Sequence, residues 1–196
     1  MGSEMCIRDR KRIIVGISGA SGVIYGIRLL EMLKEINAVE SHLVMTNGAK
    51  LNITLESDFE PKSVEALADV VHSDKNLGAS IASGSYETEG MIIAPCSMKT
   101  LSGVANSYAA NLIVRAADVV LKEGRKLIIV PRETPLHLGH IDLLRKVSMM
   151  GAHVVPPNPA FYNHPESIDD IINHTVGRVL DLIGVDNEVV SRWKGV

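Results

Sequence analysis

Five short apolar runs, each followed by a segment of helical period, constrain this chain more than any other feature: Ile13 to Ile17, His42 to Thr46, Met91 to Ala94, Leu127 to Val130, and His153 to Val155. Each is too apolar for an exposed edge hairpin, and strands buried on both faces belong to parallel sheets whose crossovers are helices. The intervening stripes predict those helices: Val23, Ile27 and Leu30; Leu101 to Asn106 and Leu112 to Lys122; Ile141 to Met150; and Ile168 to Ile183. The expected fold is α/β, a single-domain doubly wound parallel sheet in a three-layer sandwich of the Rossmann-like or flavodoxin-like kind. A length of 196 residues with 46% hydrophobic content suits one such domain. Residues 1–10 are polar and aperiodic. They read as a non-native or disordered extension ahead of a domain over 11–196.

A net charge of -3 with scattered arginines argues against nucleic acid as the main partner, since phosphate-backbone binding needs clustered Lys and Arg. No stretch approaches the ~18 to 20 apolar residues that span a bilayer, and the N-terminus lacks a secretion signal's apolar core. The only cysteines, Cys6 and Cys96, build neither a disulfide framework nor a four-cysteine zinc site, so a reducing, cytoplasmic setting is expected. Cys96, between Pro95 and Ser97, reads as a packed small residue rather than a nucleophile.

In an open α/β sheet, ligands bind beyond the carboxyl ends of the strands, so the residues there carry the chemistry. After the first run, Ser18-Gly19-Ala20-Ser21-Gly22 breaks a strand into a small-residue turn just as a helix begins. That is the outline of a phosphate cradle, although an ordinary tight turn has the same composition. No acidic residue follows the second strand to hold a ribose, which weighs against a dinucleotide site. The later loops bring Thr46-Asn47, Pro95 to Thr100, the proline-bounded Arg132-Glu133-Thr134, and the Pro-rich aromatic stretch Pro156 to Tyr162. Glu133 reads either as a salt-bridge partner of Arg132 or, if a phosphate binds beside it, as the first choice for an acid/base role, because a carboxylate there needs a proton or a cationic neighbour. His137 and His140 invite a metal reading, but with no third ligand at suitable spacing they read as capping or packing a helix start, and no metal is expected.

These segments, from Arg12 to Trp193, resemble the UbiX-type flavin prenyltransferases. The matching pieces are the GASG turn, Glu56 within LESD, Ser83-Gly84-Ser85, PCSMKTL at 95–101, the block NLIVRAADVVLKEGRKLIIVPRETPLHLGH at 111–140, PAFYNHPESIDDI at 159–171, and Arg178. The resemblance implies that a dimethylallyl phosphate alkylates reduced FMN at N5 and then C6, without a metal. The prenylated FMN product serves UbiD-type decarboxylases, and members form large homo-oligomers, dodecamers in known cases, with sites at subunit contacts.

Residue by residue, the resemblance implies that Gly19, Ala20, Ser21, Thr46, Ser97, Met98, Lys99, Thr100 and Arg115 bind FMN. Lys122, Arg132, Tyr162 and Arg178 would surround the donor phosphate as a cationic clamp, Arg as a planar fork and Lys as a point charge. Ser21, Glu56, Lys122 and Glu133 match the catalytic set, with Ser21 near flavin N5 and Glu56 ordering the site or moving a proton. Apart from the resemblance, Ser21 reads as a helix cap, Glu56 as an exposed loop carboxylate, and Lys122 and Arg178 as solvated helix charges. Some members carry Trp where this chain has Leu77, leaving Tyr86 or Trp193 as other aromatic surfaces for a cation. Two alternatives are a non-catalytic FMN-binding subunit of an aromatic-acid decarboxylase and a flavin-dependent cysteine decarboxylase. The second needs a His in the first helical region and an Asn-Met clamp, and neither is present.

Overall fold

The structure, a computed structural model, describes residues 10–187 and 189. Six parallel strands form one sheet in the order β3-β2-β1-β4-β5-β6. They are β1 (Lys11–Ile17), β2 (Val39–Met45), β3 (Val70–Ser73), β4 (Gly90–Cys96), β5 (Lys126–Pro131) and β6 (His153–Val154). The helices are α1 (Ile24–Lys34), α2 (Asn47–Glu56), α3 (Pro61–Glu65), α4 (Met98–Ala105), α5 (Leu112–Lys122), α6 (Leu138–Met149) and α7 (Ile168–Ile183). Among the described residues no helix is long and apolar enough to cross a membrane.

The pleat explains the layers. Ile13, Val15 and Ile17 send side chains to one face, where Ile27, Leu30 and Leu33 of α1 and Ile172, Val176 and Leu180 of α7 cover them. Ile14 points to the other face with Val44, Met91 and Ile93, under Leu101 and Val104 of α4, Ile113 and Val120 of α5, and Val147 of α6. Both faces are therefore dry, which is why the central strands carry no polar alternation. Each wholly buried Ile or Leu contributes about 1.5–3 kcal/mol of burial.

Three expectations change. A sixth strand, β3, pairs with β2 at the edge, His42 opposite Val70 and Met45 opposite Ser73. It has four residues whose burial alternates between partial and exposed, too short and too polar to stand out as an apolar run. Two further helices, α2 and α3, fill the segment between β2 and β3, so Glu56 ends a helix instead of lying in a loop. Finally, β6 is a two-residue edge strand with exposed His153, so the fifth apolar run is an edge after all. The 1–10 extension lies outside the described residues except for Arg10, as do Cys6 and Trp193.

Candidate functional site

The strand order reverses direction between β1 and β4, and a crevice opens beyond their carboxyl ends. Its floor is tied by Ser18, which is fully buried. The Ser18 hydroxyl donates to the Pro95 carbonyl at 3.0 Å and accepts from the Ser97 amide at 2.8 Å, locking the loop after β1 to the loop after β4. Gly22 follows with φ 91°, a left-handed conformation that glycine adopts without a Cβ clash. The α1 N-cap is Val23, so Ser21 is not the cap that its position suggested.

The resulting cleft has a volume of about 810 Å³ and is lined by Gly19, Thr46, Asn47, Gly48, Lys99, Thr100 and neighbours from α4 and α5. Three helix N-termini abut it. Thr46 caps α2 by accepting from the Ala49 amide, Ser97 caps α4 by accepting from the Thr100 amide, and Asn111 caps α5 by accepting from the Val114 amide. Unpaired amides and helix dipoles make such a place receptive to an anion. Gly19 and Gly48 let the first loop and α2 meet, since a Cβ on Gly19 would stand 3.0 Å from the Gly48 Cα. Of the residues expected to bind FMN, Gly19, Thr46, Lys99 and Thr100 line the cleft, while Ala20 and Ser21 follow Gly19 in its loop and Ser97 and Met98 are the N-cap and first residue of α4.

Arg115 lies elsewhere. Its guanidinium donates to the Ala82 carbonyl at 3.2 Å and pairs with Asp118 at 3.1 Å, so it does not enter this chain's own cleft. Asp74, a cleft residue that the sequence reading missed, follows the missed strand β3. Burial raises its pKa against the bonds from the Ile113 amide and Asn111. The same reading places Ser18 in the cradle turn without a role of its own and misses Asn111; the signal of both is a hydrogen-bonding side chain directly after a strand or before a helix.

Beside the cleft a second group assembles. The Gly22 amide donates to Glu56 Oε2 at 2.7 Å, and Arg132 Nε donates to the Ser21 carbonyl at 3.3 Å. Arg132 is anchored in turn, its amide donating to the Cys96 carbonyl at 3.2 Å. Ser21, Glu56 and Arg132 thus come together from three elements, with exposed Glu133 next along the chain and its carboxylate accepting from the Thr134 amide. Cys96 is fully buried, and burial pushes its thiol well above the ordinary range, so it is packed and unreactive.

Tyr162 lies on a 3-10 turn after β6, its hydroxyl 3.3 Å from His174 Nε2 on α7. Arg178, one turn further along α7, pairs with Asp181 at 2.9 Å. Lys122 is not with them. It ends α5, whose first residues abut the cleft, and so lies at the opposite, amino end of the sheet, close to Gly84 and paired with Glu123. The clamp expected from Lys122, Arg132, Tyr162 and Arg178 is therefore not assembled within one chain. Tyr86 belongs to that far end too, with Arg12 stacked 4.7 Å over its ring, and Leu77 is half exposed.

His137 is the N-cap of α6, and its Nδ1 accepts from the Gly139 amide at 3.0 Å, which occupies the lone pair a metal would need. Among the described residues, no group of three or more His, Cys, Asp and Glu side chains is placed to hold a metal ion.

A doubly wound α/β protein with helix N-termini around a cleft at its switch point belongs to the class that binds phosphate-bearing cofactors. The flavoprotein family model matches residues 3–180, and this chain belongs to that family, among the UbiX-type flavin prenyltransferases. It is 54% identical over 187 residues to a flavin prenyltransferase UbiX of Escherichia coli (strain K12), covering 94% of this chain and 99% of that protein. It superposes with a TM-score of 0.93 on AnUbiX (PadA1) in complex with FMN and dimethylallyl pyrophosphate, at 45% identity over 95% of this chain and 99% of that one. A dodecameric FMN-dependent UbiX-like decarboxylase from Escherichia coli O157:H7 gives a TM-score of 0.92 at 52% identity, covering 94% of this chain and all of that one.

Proposed function

We propose that this chain is a flavin prenyltransferase that joins a dimethylallyl group to N5 and C6 of reduced FMN. The observation that carries the reading is the cleft at the β1/β4 switch point, where three capped helix N-termini and Lys99 face a space within the usual range of about 300–1,000 Å³ for small-molecule sites. The amides beside Gly19 and Thr46, the N-cap Ser97 and the Thr100 hydroxyl suit an FMN phosphate. Bound there, reduced FMN supplies N5 and C6 as the nucleophilic positions.

The chain's own residues then have separable tasks. Arg132, Tyr162 and Arg178 hold the phosphate of the donor and stabilise the charge that builds on it as its bond to the allyl carbon breaks. Glu133 gives the leaving phosphate its proton, or takes up the proton lost when C6 is substituted. Ser21, held beside Arg132, sets the geometry near N5, and Glu56 fixes that loop through the Gly22 amide.

Lys122, at the amino end of the sheet, and Arg115, turned from this chain's own cleft toward Ala82 and Asp118, join the site from a second copy of the chain. The placing of both side chains away from this chain's own rim supports a homo-oligomer with shared sites. A UbiD-type decarboxylase receives the product, and a cytoplasmic setting suits a substrate that must stay reduced.

The test is anaerobic incubation with reduced FMN and dimethylallyl phosphate, followed by mass spectrometry of the released flavin. A flavin heavier by one C5 unit is expected. Recovery of unmodified FMN only, with the monophosphate and the diphosphate alike, would favour a non-catalytic FMN-binding subunit of a decarboxylase.

A further inference from the structure

Between two of the side chains assigned to the donor phosphate stands a third that has no task yet. His174 lies on α7 one turn before Arg178, and its Nε2 is 3.3 Å from the Tyr162 hydroxyl. The two rings meet edge to face, 6.0 Å between centroids and 86° between planes. Tyr162 is 54% exposed on a three-residue turn, so core packing does not aim its hydroxyl. Asn163, His164, Glu166 and Asp170 line the hollow beside His174.

A phenol has one proton to give. If the imidazole accepts it, Tyr162 has none left for a phosphate oxygen. If the imidazole donates, the phenol oxygen is the acceptor and keeps its own proton to give to another oxygen. A hydroxyl that accepts a hydrogen bond also becomes a stronger donor.

We propose that His174 is a positioning residue for donor capture: its Nε2–H donates to Tyr162 Oη, so that the Tyr162 hydroxyl presents its proton to the donor phosphate beside Arg178. Burial, and then the Arg178 charge, lower the His174 pKa, which keeps the ring neutral at pH 7. A neutral ring carries a single N–H, and the proposed donation puts it on Nε2, the nitrogen 3.3 Å from the Tyr162 hydroxyl. The inference rests on the reading that Tyr162 and Arg178 hold the donor.

Steady-state prenylation with dimethylallyl phosphate varied at saturating reduced FMN tests it in four variants: Tyr162→Phe, His174→Leu, His174→Gln, and Tyr162→Phe with His174→Leu. His174→Leu is expected to raise KM for the donor about three- to tenfold, the worth of one oriented hydrogen bond, with kcat little changed. His174→Gln, which keeps an amide N–H at similar reach, restores most of the loss. In the Tyr162→Phe background, His174→Leu adds nothing further. An equal effect in both backgrounds overturns the proposal, because the histidine would then act without the hydroxyl. If Tyr162→Phe raises KM while His174→Leu does not, the role of His174 alone fails. If Tyr162→Phe leaves KM unchanged, the donor site itself is misplaced.

Discussion

Ser18 and Ser21 stand three residues apart in one turn and have opposite fates. The first is fully buried and bridges two strand-end loops through both its lone pair and its proton; the second is partly exposed beside Arg132. Ser18→Ala leaves the Ser97 amide without its partner in a dry place, which costs about 1–3 kcal/mol, and it frees the two loops that line the cleft. A lower urea midpoint and weaker FMN binding are both expected, from equilibrium unfolding and flavin titration; unchanged FMN affinity would mean that the staple has no part in shaping the cleft. Glu133→Gln keeps shape and removes the exchangeable carboxyl proton. It should lower kcat about 10²- to 10⁴-fold with FMN still bound, and full prenylation of bound FMN by this variant would remove Glu133 from the chemistry. At this scale the residue types were legible from the motifs. Their partners were not, because Glu56 finds the Gly22 amide across 34 residues and Arg132 finds Ser21 across 111.

At the scale of elements, legibility followed burial. The central strands are apolar at successive positions because helices cover both faces, whereas the edge strand β3 alternates partial and full exposure and left no mark in the pattern. That edge carries a titratable pair. His42 of β2 is buried with its Nδ1 2.9 Å from His72 Nε2 of β3 and its Nε2 2.8 Å from Glu40 Oε1. Burial lowers the pKa of His42 more than Glu40 raises it, and burial, followed by the charge of His42, lowers that of His72. A folded pKa below the unfolded value of about 6.5 means that the unfolded chain binds more protons as pH falls. The associated stability is therefore present above about pH 6.5 and is lost as pH drops from there toward the folded pKa values. Urea midpoints measured from pH 8 to pH 5 should fall below about pH 6.5, and His72→Asn should flatten that decline. An unaltered slope in this variant would mean that other groups cause it. At the last helix, Ser167 and Asp170 form a capping box, so Ser167→Ala should cost about 1 kcal/mol in the same assay.

For the whole molecule, the decisive fact is the distance the fold puts between residues that the sequence places in one motif block. Arg115, Lys122, Arg132 and Glu133 occupy a single stretch of chain, yet α5 and β5 run antiparallel to each other, so Lys122 and Arg132 end at opposite poles of the sheet. Spacing along a chain says nothing about which pole a residue reaches, and the sequence pattern alone could not separate them. If a second copy supplies Lys122 to this rim, each site needs an intact rim from one subunit and an intact α5 terminus from another. Lys122→Ala and Glu133→Gln proteins would each be close to inactive alone, yet subunits mixed one to one and reassembled would place both native groups in roughly a quarter of the sites, by random pairing at a heterologous contact. The expected outcome is recovery to about that fraction of wild-type prenylation after dissociation and reassembly, and none on simple mixing of intact oligomers. If the reassembled mixture stays as inactive as its components, Lys122 and Glu133 act within one chain or Lys122 takes no part, and the shared site is wrong.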